Sequence, residues 1–140
     1  MRTNNECIRK VLIKIEGIPY GETYTVSKLQ ELLPEFSIED VIYTVTMLNR
    51  ERYIMIMGKP GYDDDDVFRD NKIRCLTERG YRNLDLIRDD NVWNLIKEKL
   101  PDYNEISFYT ILAIANKIYN KKHNEIFDIP NEFYMDYSRW

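Results

Sequence analysis

The residues best equipped for chemistry are four consecutive aspartates, Asp63 to Asp66, which lie in a polar segment between two apolar runs. Carboxylate oxygens are ligands for Ca²⁺ and Mg²⁺, but four adjacent residues cannot easily converge on one ion, and the EF-hand spacing is absent. We therefore expect a solvated acidic loop. Asp89 and Asp90 could also be metal ligands, but the capping of a helix explains these two aspartates more simply.

Side chains for acid–base or nucleophilic catalysis are scarce. The single histidine, His123, lies in a polar stretch. The sequence therefore lacks the residues for histidine-based metal clusters and for catalytic triads that use histidine. The five glycines form none of the common phosphate-cradling patterns. Cys7 and Cys75 lie inside apolar patterns, which predicts buried small hydrophobes, with a disulfide as the alternative. The sequence predicts a protein that is not an enzyme and holds no cofactor or metal.

Length, composition and charge limit the classes of protein to which the chain could belong. The 140 residues, with 44% hydrophobic and 31% charged side chains, suit a globular protein with one core. No apolar stretch approaches the roughly 20 residues of a membrane-spanning helix, and residues 1–6 lack a signal-peptide core, so we expect no membrane partner and a cytoplasmic location in a bacterial host cell. The 24 acidic and 20 basic residues give a net charge of −4, which argues against a general nucleic-acid binder.

Three helices and a short strand are predicted in the first half of the chain. Thr3 and Glu6 form a capping box for a first helix, and the glycine-rich turn after it leads into a strand over residues 21–26. Ser27 and Ser37 are expected to cap the second and third helices. The apolar stripe of the third helix is Ile38, Val41, Ile42, Val45 and Leu48, which leaves Glu39, Asp40, Tyr43, Thr44, Met47 and Arg50 on the outward side.

A hairpin and three further helices are predicted in the second half. Two apolar runs, 53–57 and 73–76, flank the acidic loop and should pair as strands. Thr77 caps a fourth helix that buries Tyr81, Leu84 and Ile87, with Gly80 allowing a close approach of another element. A fifth helix begins at residues 89–91, and a sixth runs from Ser107 to Lys121.

This order of elements predicts an α+β winged helix-turn-helix, with the third helix and the hairpin wing as the usual binding face. We divide the chain into a winged-helix domain (1–88), a C-terminal helical extension packed on it (89–122) and an aromatic tail (123–140). The tail either packs back on the domain or docks onto a partner. Dimerisation through the added helices is a further expectation, with Trp93, Ile96, Phe108 and Ile111 as the candidate surface.

Two stretches resemble known proteins. Residues 74–84, Arg-Cys-Leu-Thr-Glu-Arg-Gly-Tyr-Arg-Asn-Leu, resemble the junction L-T-x-x-G-x-x-x-L that follows the wing in many winged-helix regulators. Residues 87–97, Ile-Arg-Asp-Asp-Asn-Val-Trp-Asn-Leu-Ile-Lys, look like a family of phage- and prophage-associated proteins of unassigned function, akin to the YjcQ-like group. With the opening helix this resemblance covers about residues 4–122. It implies a winged-helix fold and a mobile-element setting, and it supplies no catalytic residues.

Charge on the predicted binding face favours a protein partner. Four aspartates at the tip of the wing and two acids in the first turn of the third helix would repel phosphates, so we expect a partner whose own surface is basic because it handles nucleic acid. Such a protein could inhibit a host nuclease or defence complex by DNA mimicry. Alternatively, the aspartates only keep a long loop soluble and block edge pairing. The residues predicted to bind the partner are Asp63, Asp64, Asp65, Asp66, Glu39, Asp40, Tyr43 and Met47.

DNA binding by a transcriptional regulator of winged-helix type is the alternative function. Polar side chains on the third helix could bond base edges, and basic residues beside the wing could contact phosphates. The stretch 69–88 has six basic and three acidic residues, which makes it locally basic. The residues predicted to contact DNA are Thr44, Asn49, Arg50, Lys59, Arg69, Lys72 and Arg74.

Overall fold

A computed structural model describes residues 4–57 and 67–127 of the protein. Within these ranges the chain forms six α-helices and a three-stranded antiparallel sheet, so the fold is α+β. The central strand of the sheet is β3, which pairs with β1 on one side and β2 on the other. The elements in chain order are α1 (Asn5–Glu16), β1 (Tyr24–Thr25), α2 (Val26–Leu32), α3 (Ile38–Arg50), β2 (Ile54–Ile56), β3 (Lys72–Leu76), α4 (Glu78–Ile87), α5 (Asp90–Lys99) and α6 (Phe108–Phe127).

Polar side chains set the starts of three helices as the sequence predicts. Ser37, Thr77 and Asp89 each accept a hydrogen bond from a backbone amide two or three residues further on, at 2.8–3.1 Å. Each bond satisfies one of the amides that the first turn of a helix leaves without a partner. The predicted caps of α3, α4 and α5 are confirmed.

The caps of the first two helices differ from the prediction. The Asn4 side chain accepts from the Cys7 amide at 3.1 Å, so Asn4 caps α1 in place of Thr3, which lies outside the described ranges. Thr25 caps α2 in place of Ser27. In both cases a nearby residue that can also cap a helix has the extended backbone that a cap requires, and sequence alone does not choose between candidates one or two positions apart.

The end of α3 turns the chain sharply into β2. Arg52 has a left-handed backbone, with φ of 62°. The Tyr53 amide donates to the Leu48 carbonyl at 2.9 Å, and the Arg52 amide donates to the Asn49 carbonyl at 3.1 Å. These two bonds define a Schellman motif, which usually places glycine where Arg52 stands. Tyr53 and Leu48 are both buried, as the hydrophobic contact of this motif requires.

A β-bulge interrupts the pairing of β2 with β3. Met55 is opposite Cys75 and Ile56 is opposite Ile73, so Arg74 is the extra residue on β3. A bulge breaks the strict alternation of a strand between its two faces. Arg74 is therefore exposed and Cys75 is only partly buried, so the prediction that Cys75 is a buried residue is wrong.

Gly80 allows α4 to lie directly against the turn after α3. A Cβ atom at this position would be 2.1 Å from the Tyr53 carbonyl oxygen. Thr77 holds the same junction, because its amide donates to the Tyr53 carbonyl at 3.0 Å and its hydroxyl donates to the Arg52 carbonyl at 2.6 Å. The predicted close approach at Gly80 is confirmed. Tyr81, which the apolar pattern predicts to be buried, is 41% exposed because Gly80 takes the inward position beside it.

One hydrophobic cluster joins the sheet and all six helices of the described ranges. α1 packs against α3, β3 and α4, and α6 packs against α4 and α5. The largest fully buried side chains are Trp93, Tyr53, Ile8, Leu12, Ile15, Leu29, Leu48, Ile73, Leu84, Ile87, Ile96 and Ile111.

The candidate dimer surface is part of this core. Trp93, Ile96, Phe108 and Ile111 are each at most 7% exposed within a single chain. The apolar stripes of α5 and α6 cover each other and the flank of α4, so these four side chains are used for packing within the chain. The prediction that these four residues form a dimer interface is therefore wrong.

The start of α1 is fastened to the turn between α5 and α6. Asn5 is fully buried, and its amide nitrogen donates to the carbonyls of Tyr103 and Ile106 at 2.6 and 2.7 Å. The Glu6 backbone amide donates to the Asn104 side chain at 3.0 Å. Residues about a hundred positions apart in the sequence are thus joined by hydrogen bonds.

The last helix is longer than expected. α6 continues to Phe127, past the predicted end at Lys121, so the tail predicted over 123–140 overlaps the helix. Residues 128–140 lie outside the described ranges. Among the helices that the structure describes, none has the length and apolarity needed to cross a membrane.

Candidate partner-binding surface

Four residues predicted to bind a partner lie together on the outward face of α3. Glu39 and Tyr43 are exposed, and Asp40 and Met47 are partly buried beside them. Their spacing of three and four residues places them on one side of the helix. The face therefore combines two carboxylates with an aromatic ring and a thioether. We call these four residues the α3 face.

The carboxylates at the start of α3 also have a structural role. Acidic side chains in the first turn of a helix interact favourably with the helix dipole. One of them, Asp40, also acts on the buried Cys7, whose pKa is raised to about 11, mainly by burial of the thiol. The charges of Asp40 and Glu35 raise this pKa further, and the Thr44 hydroxyl opposes them by donating to the Cys7 sulfur at 3.3 Å.

The residues predicted to contact DNA on α3 are not all on its surface. Thr44 is 1% exposed and faces α1, so its prediction as an outward residue is wrong. The helical turn carries position 44 to the same side as Val41, Val45 and Leu48, which are buried. Arg50 is exposed, while Asn49 is partly buried.

Three basic residues predicted for the DNA alternative are exposed near the start of β3. Arg69 lies in the turn before the strand, and Lys72 and Arg74 lie on the strand itself. None of the three has an ion-pair partner within residues 4–57 and 67–127. With the exposed Asp70 between them, they give the start of the central strand a small net positive charge. We call these three residues the β3 patch.

The acidic tip of the wing is a prediction from the segment between β2 and β3. Asp63, Asp64, Asp65, Asp66 and Lys59 lie outside the described ranges. The structure describes the strands on either side of this segment, β2 and β3, which pair as the hairpin prediction requires. The acidic tip therefore stays a prediction from sequence.

Arg9 is a structural residue that sequence reasoning missed. Its guanidinium donates to the carbonyls of Ile87 and Arg88 at 2.7 and 2.8 Å, which closes the end of α4. It also pairs with Asp90 at 2.6 Å and lies over the Trp93 ring, 5.3 Å from the centroid. Nothing in the sequence marks this role, since arginine next to an apolar stripe is ordinarily solvated.

A second missed feature is a polar cluster where α3, α4 and α6 meet. The Tyr109 hydroxyl donates to Glu51 at 2.8 Å, and the Arg79 guanidinium is 3.8 Å from the same carboxylate and lies over the Tyr53 ring at 5.2 Å. The hydrogen bond to Glu51 is the main cause of a raised pKa at Tyr109. Burial raises the pKa of Tyr53, and Arg79 opposes that shift.

This cluster forms one end of a groove between α4 and α6, with a volume of about 470 Å³. Two arginines and two asparagines supply polar atoms, and the remaining side chains are aromatic or aliphatic. No single sequence motif identifies the groove, because its walls come from separate helices. Its lining residues are Tyr53, Arg79, Arg82, Asn83, Leu86, Tyr109, Leu112, Ala113 and Asn116.

A comparison with known proteins finds a family whose description names no activity. The sequence profile of a family described as "Hypothetical protein (DUF2513)" matches residues 2–105, which include α1 to α5. No curated protein and no solved structure matches the chain. The match supports neither the YjcQ-like resemblance nor a phage setting. Since the matched residues make up most of the sequence, the chain belongs to the DUF2513 family of hypothetical proteins.

Proposed function

We propose that this protein is a winged-helix interaction module that binds a protein partner with a basic surface and has no catalytic activity. The succession of elements and the strand order β1-β3-β2 support the winged-helix assignment. In this assignment α3 is the recognition helix, and the segment between β2 and β3 is the wing. α5 and α6 are additions to the winged helix.

The main support for the proposal is the types of residue on the α3 face. Two carboxylates stand in its first turn, where a DNA-binding helix commonly contacts base edges, and they repel phosphate. Tyrosine and methionine are enriched in protein interfaces, and Tyr43 is 36% exposed. The burial of Thr44 removes one of the polar contacts that DNA recognition would use. Such a face is better matched by a basic protein than by a duplex.

The nature of the partner follows from this charge. A protein that handles nucleic acid presents a basic surface, and the carboxylates of the α3 face, with Asp63 to Asp66 from the sequence, would take the place of phosphates. The proposal includes a mobile-element setting in the cytoplasm of a bacterial host, where the partner is a nuclease or a defence complex. The resemblance of residues 87–97 to phage-associated proteins supports this setting.

A DNA-binding regulator is the second candidate function. The observation that favours it is the β3 patch, whose three basic side chains are exposed and lack ion-pair partners in the described ranges. Phosphate contacts of this kind supply most of the non-specific affinity for DNA. The two candidates use different surfaces, so substitutions can separate them.

The first experiment measures binding of a labelled random duplex by fluorescence anisotropy at low and physiological salt. We expect no binding in the low micromolar range, and no steep dependence on salt. Tight, salt-dependent binding that is lost in the triple variant Arg69→Gln, Lys72→Gln and Arg74→Gln would establish the DNA function instead.

The second experiment identifies the partner by affinity capture from the host, followed by titration of the purified candidate. The variant Glu39→Gln with Tyr43→Ala should weaken binding about 10-fold or more, since interface tyrosines are frequent hot spots. Tyr20→Ala is the matched control, because Tyr20 is fully exposed in the loop between α1 and β1. Equal affinity of all three proteins would refute the α3 face as the binding surface.

A further inference from the structure

We infer that the groove between α4 and α6 binds a small molecule that joins a planar apolar body to an oxyanion, either a carboxylate or a phosphate. The site is separate from the α3 face and from the β3 patch. The inference therefore goes beyond the proposed function and does not depend on it. It rests on three features of the groove: unpartnered donors, an apolar floor and a pre-oriented arginine.

Three donor side chains in the groove have no partner among residues 4–57 and 67–127. Arg82 is exposed, and Asn83 and Asn116 are partly buried. None of these side chains makes a hydrogen bond or an ion pair with any residue of the described ranges. Arg82 and Asn83 come from α4, whereas Asn116 comes from α6, so the donors stand on both walls. A guanidinium with amides nearby suits a carboxylate or phosphate group.

The floor of the groove suits the planar part of the ligand. Leu112 and Ala113 are buried at its base, and Leu86 is partly buried beside them. The Tyr109 ring is 50% exposed and offers a flat aromatic wall. A volume of about 470 Å³ lies within the range typical of small-molecule sites, roughly 300–1,000 Å³.

The second arginine is held in place before any ligand arrives. Arg79 lies over the buried Tyr53 ring at 5.2 Å, and Glu51 is 3.8 Å from its guanidinium. Tyr109 donates to the same carboxylate at 2.8 Å, which keeps Glu51 from moving further into the groove. The lining residues include two arginines and no acid, and Glu51 beside Arg79 offsets one of these charges, so the groove keeps the positive charge of Arg82. An incoming oxyanion would share Arg79 with Glu51.

Isothermal titration of the full chain with four probes tests the inference. Adenosine monophosphate and indole-3-acetate each join a planar body to an oxyanion, and they distinguish a phosphate from a carboxylate. Adenosine lacks the anion, and inorganic phosphate lacks the planar body. We expect at least one of the first two probes to bind with a Kd of about 1 mM or lower, and the two partial probes to bind about 10-fold more weakly or not at all.

Two variants locate the bound probe. Arg82→Gln should weaken binding about 10-fold or more, because it removes a charge-assisted hydrogen bond. Lys28→Gln is the control, because Lys28 is an exposed basic residue of α2 outside the groove, the α3 face and the β3 patch, and it should bind as the unchanged protein does. The inference is wrong if neither complete probe binds at millimolar concentration. It is also wrong if Arg82→Gln binds as well as the control, or if the control loses as much affinity as Arg82→Gln.

Discussion

At the scale of single residues, the burial of Arg9 raises the question of which of its contacts matters. Its side chain is 8% exposed, whereas that of Asp90 is 85% exposed. Water around Asp90 screens the ion pair, so attraction between the two charges contributes little to stability. The hydrogen bonds from the guanidinium to the carbonyls of Ile87 and Arg88, at the end of α4, contribute more to stability. A buried carbonyl that loses its hydrogen-bond partner lowers the free energy of unfolding.

The two contributions can be separated by substitution. Arg9→Met should lower the free energy of unfolding by about 3 kcal/mol, since it leaves two carbonyls unpaired while keeping the side chain's bulk. Asp90→Asn should lower it by less than about 1 kcal/mol. Urea denaturation followed by circular dichroism measures both values. If the two variants lose equal stability, the ion pair and not the carbonyl capping holds α1 against α4.

The buried thiol of Cys7 predicts how stability depends on pH. The thiol has a pKa of about 11 in the folded protein and an ordinary value of 9.0. The unfolded chain therefore loses its proton first as the pH rises, and the free energy of unfolding should fall between about pH 9 and pH 11. Tyr53, Tyr103 and Tyr109 also have raised pKa values and add to the same trend.

The contribution of Cys7 is isolated by comparing Cys7→Ala with the unchanged protein over this pH range. The variant should be less stable at neutral pH because it leaves a small cavity, but its stability should fall less steeply above pH 9. Val11→Ala is the control, because it also leaves a cavity in the core of α1 but removes no thiol, and it should keep the original slope. Identical slopes for all three proteins would show that the Cys7 thiol ionises normally in the fold.

Residue-scale predictions from sequence succeed where the chemistry is local. Ser37 and Thr77 are identifiable as caps because a cap needs only its own side chain and the next turn of helix. The prediction for Thr44 fails because a hydroxyl suggests an outward position. The structure satisfies that hydroxyl inside the core, with the sulfur of Cys7 from another helix. A contact between distant residues of this kind has no signature in a single sequence.

At the scale of elements, the junction between α3 and α4 depends on the absence of a side chain at Gly80. The Tyr53 carbonyl lies where a Cβ atom would be, and backbone atoms cannot move aside as a flexible side chain can. The same carbonyl accepts from the Thr77 amide, so a displaced α4 would also lose this bond.

Gly80→Ala should therefore lower the free energy of unfolding by about 2–4 kcal/mol, although alanine is the better helix former. Gly17→Ala is the matched control, because a Cβ there would lie 3.5 Å from its nearest neighbour, which is ordinary contact. It should change stability by less than about 1 kcal/mol. Thermal or urea unfolding measures both, and a neutral Gly80→Ala would contradict the tight packing.

The elements are predictable from sequence more reliably than their ends. Periodicity identifies the six helices, but it does not show the bulge at Arg74 or the continuation of α6 to Phe127. A bulge adds one residue to a strand without changing the apolar pattern enough to be seen. The last turns of α6 carry polar residues, so a helical stripe that would mark them is lacking.

At the scale of the whole molecule, the continuous core argues for a single folding unit. α5 and α6 share the hydrophobic cluster that α1, α3 and the sheet also build. A boundary at residue 89 would cut through the contacts of Arg9 and of Trp93. We expect residues 4–88 and the helices α5 and α6 to unfold together.

A chain with one tryptophan tests this expectation. In Trp140→Phe, the fluorescence reports on Trp93 in α5, which is 2% exposed. Its urea transition should coincide with that of far-ultraviolet circular dichroism, which reports on all helices. The unchanged protein, measured by circular dichroism, controls for the substitution. Two separate transitions would mean that the extension is an independent domain.

The candidate sites differ in how much of each can be predicted from the sequence. The α3 face follows from one helical period, so the pattern of apolar residues alone places Glu39 and Tyr43 on the outward side. The groove between α4 and α6 has no such pattern, because Glu51, Arg79 and Tyr109 meet only after α6 packs against α4. Local patterns predict a surface of one element, and they do not predict a cavity between two.

The hydrogen bonds between Asn5 and the turn at residues 103–106 have a consequence for biosynthesis. α1 is synthesised before its two acceptors, which follow about a hundred residues later. At a synthesis rate of roughly 5–20 residues per second, the nascent chain waits about 5–20 seconds for them. During that interval the side chains of Asn5, Glu6 and Arg9 lack their partners in α5 and the turn after it, so α1 is not yet fully fastened and is a target for chaperones acting during translation.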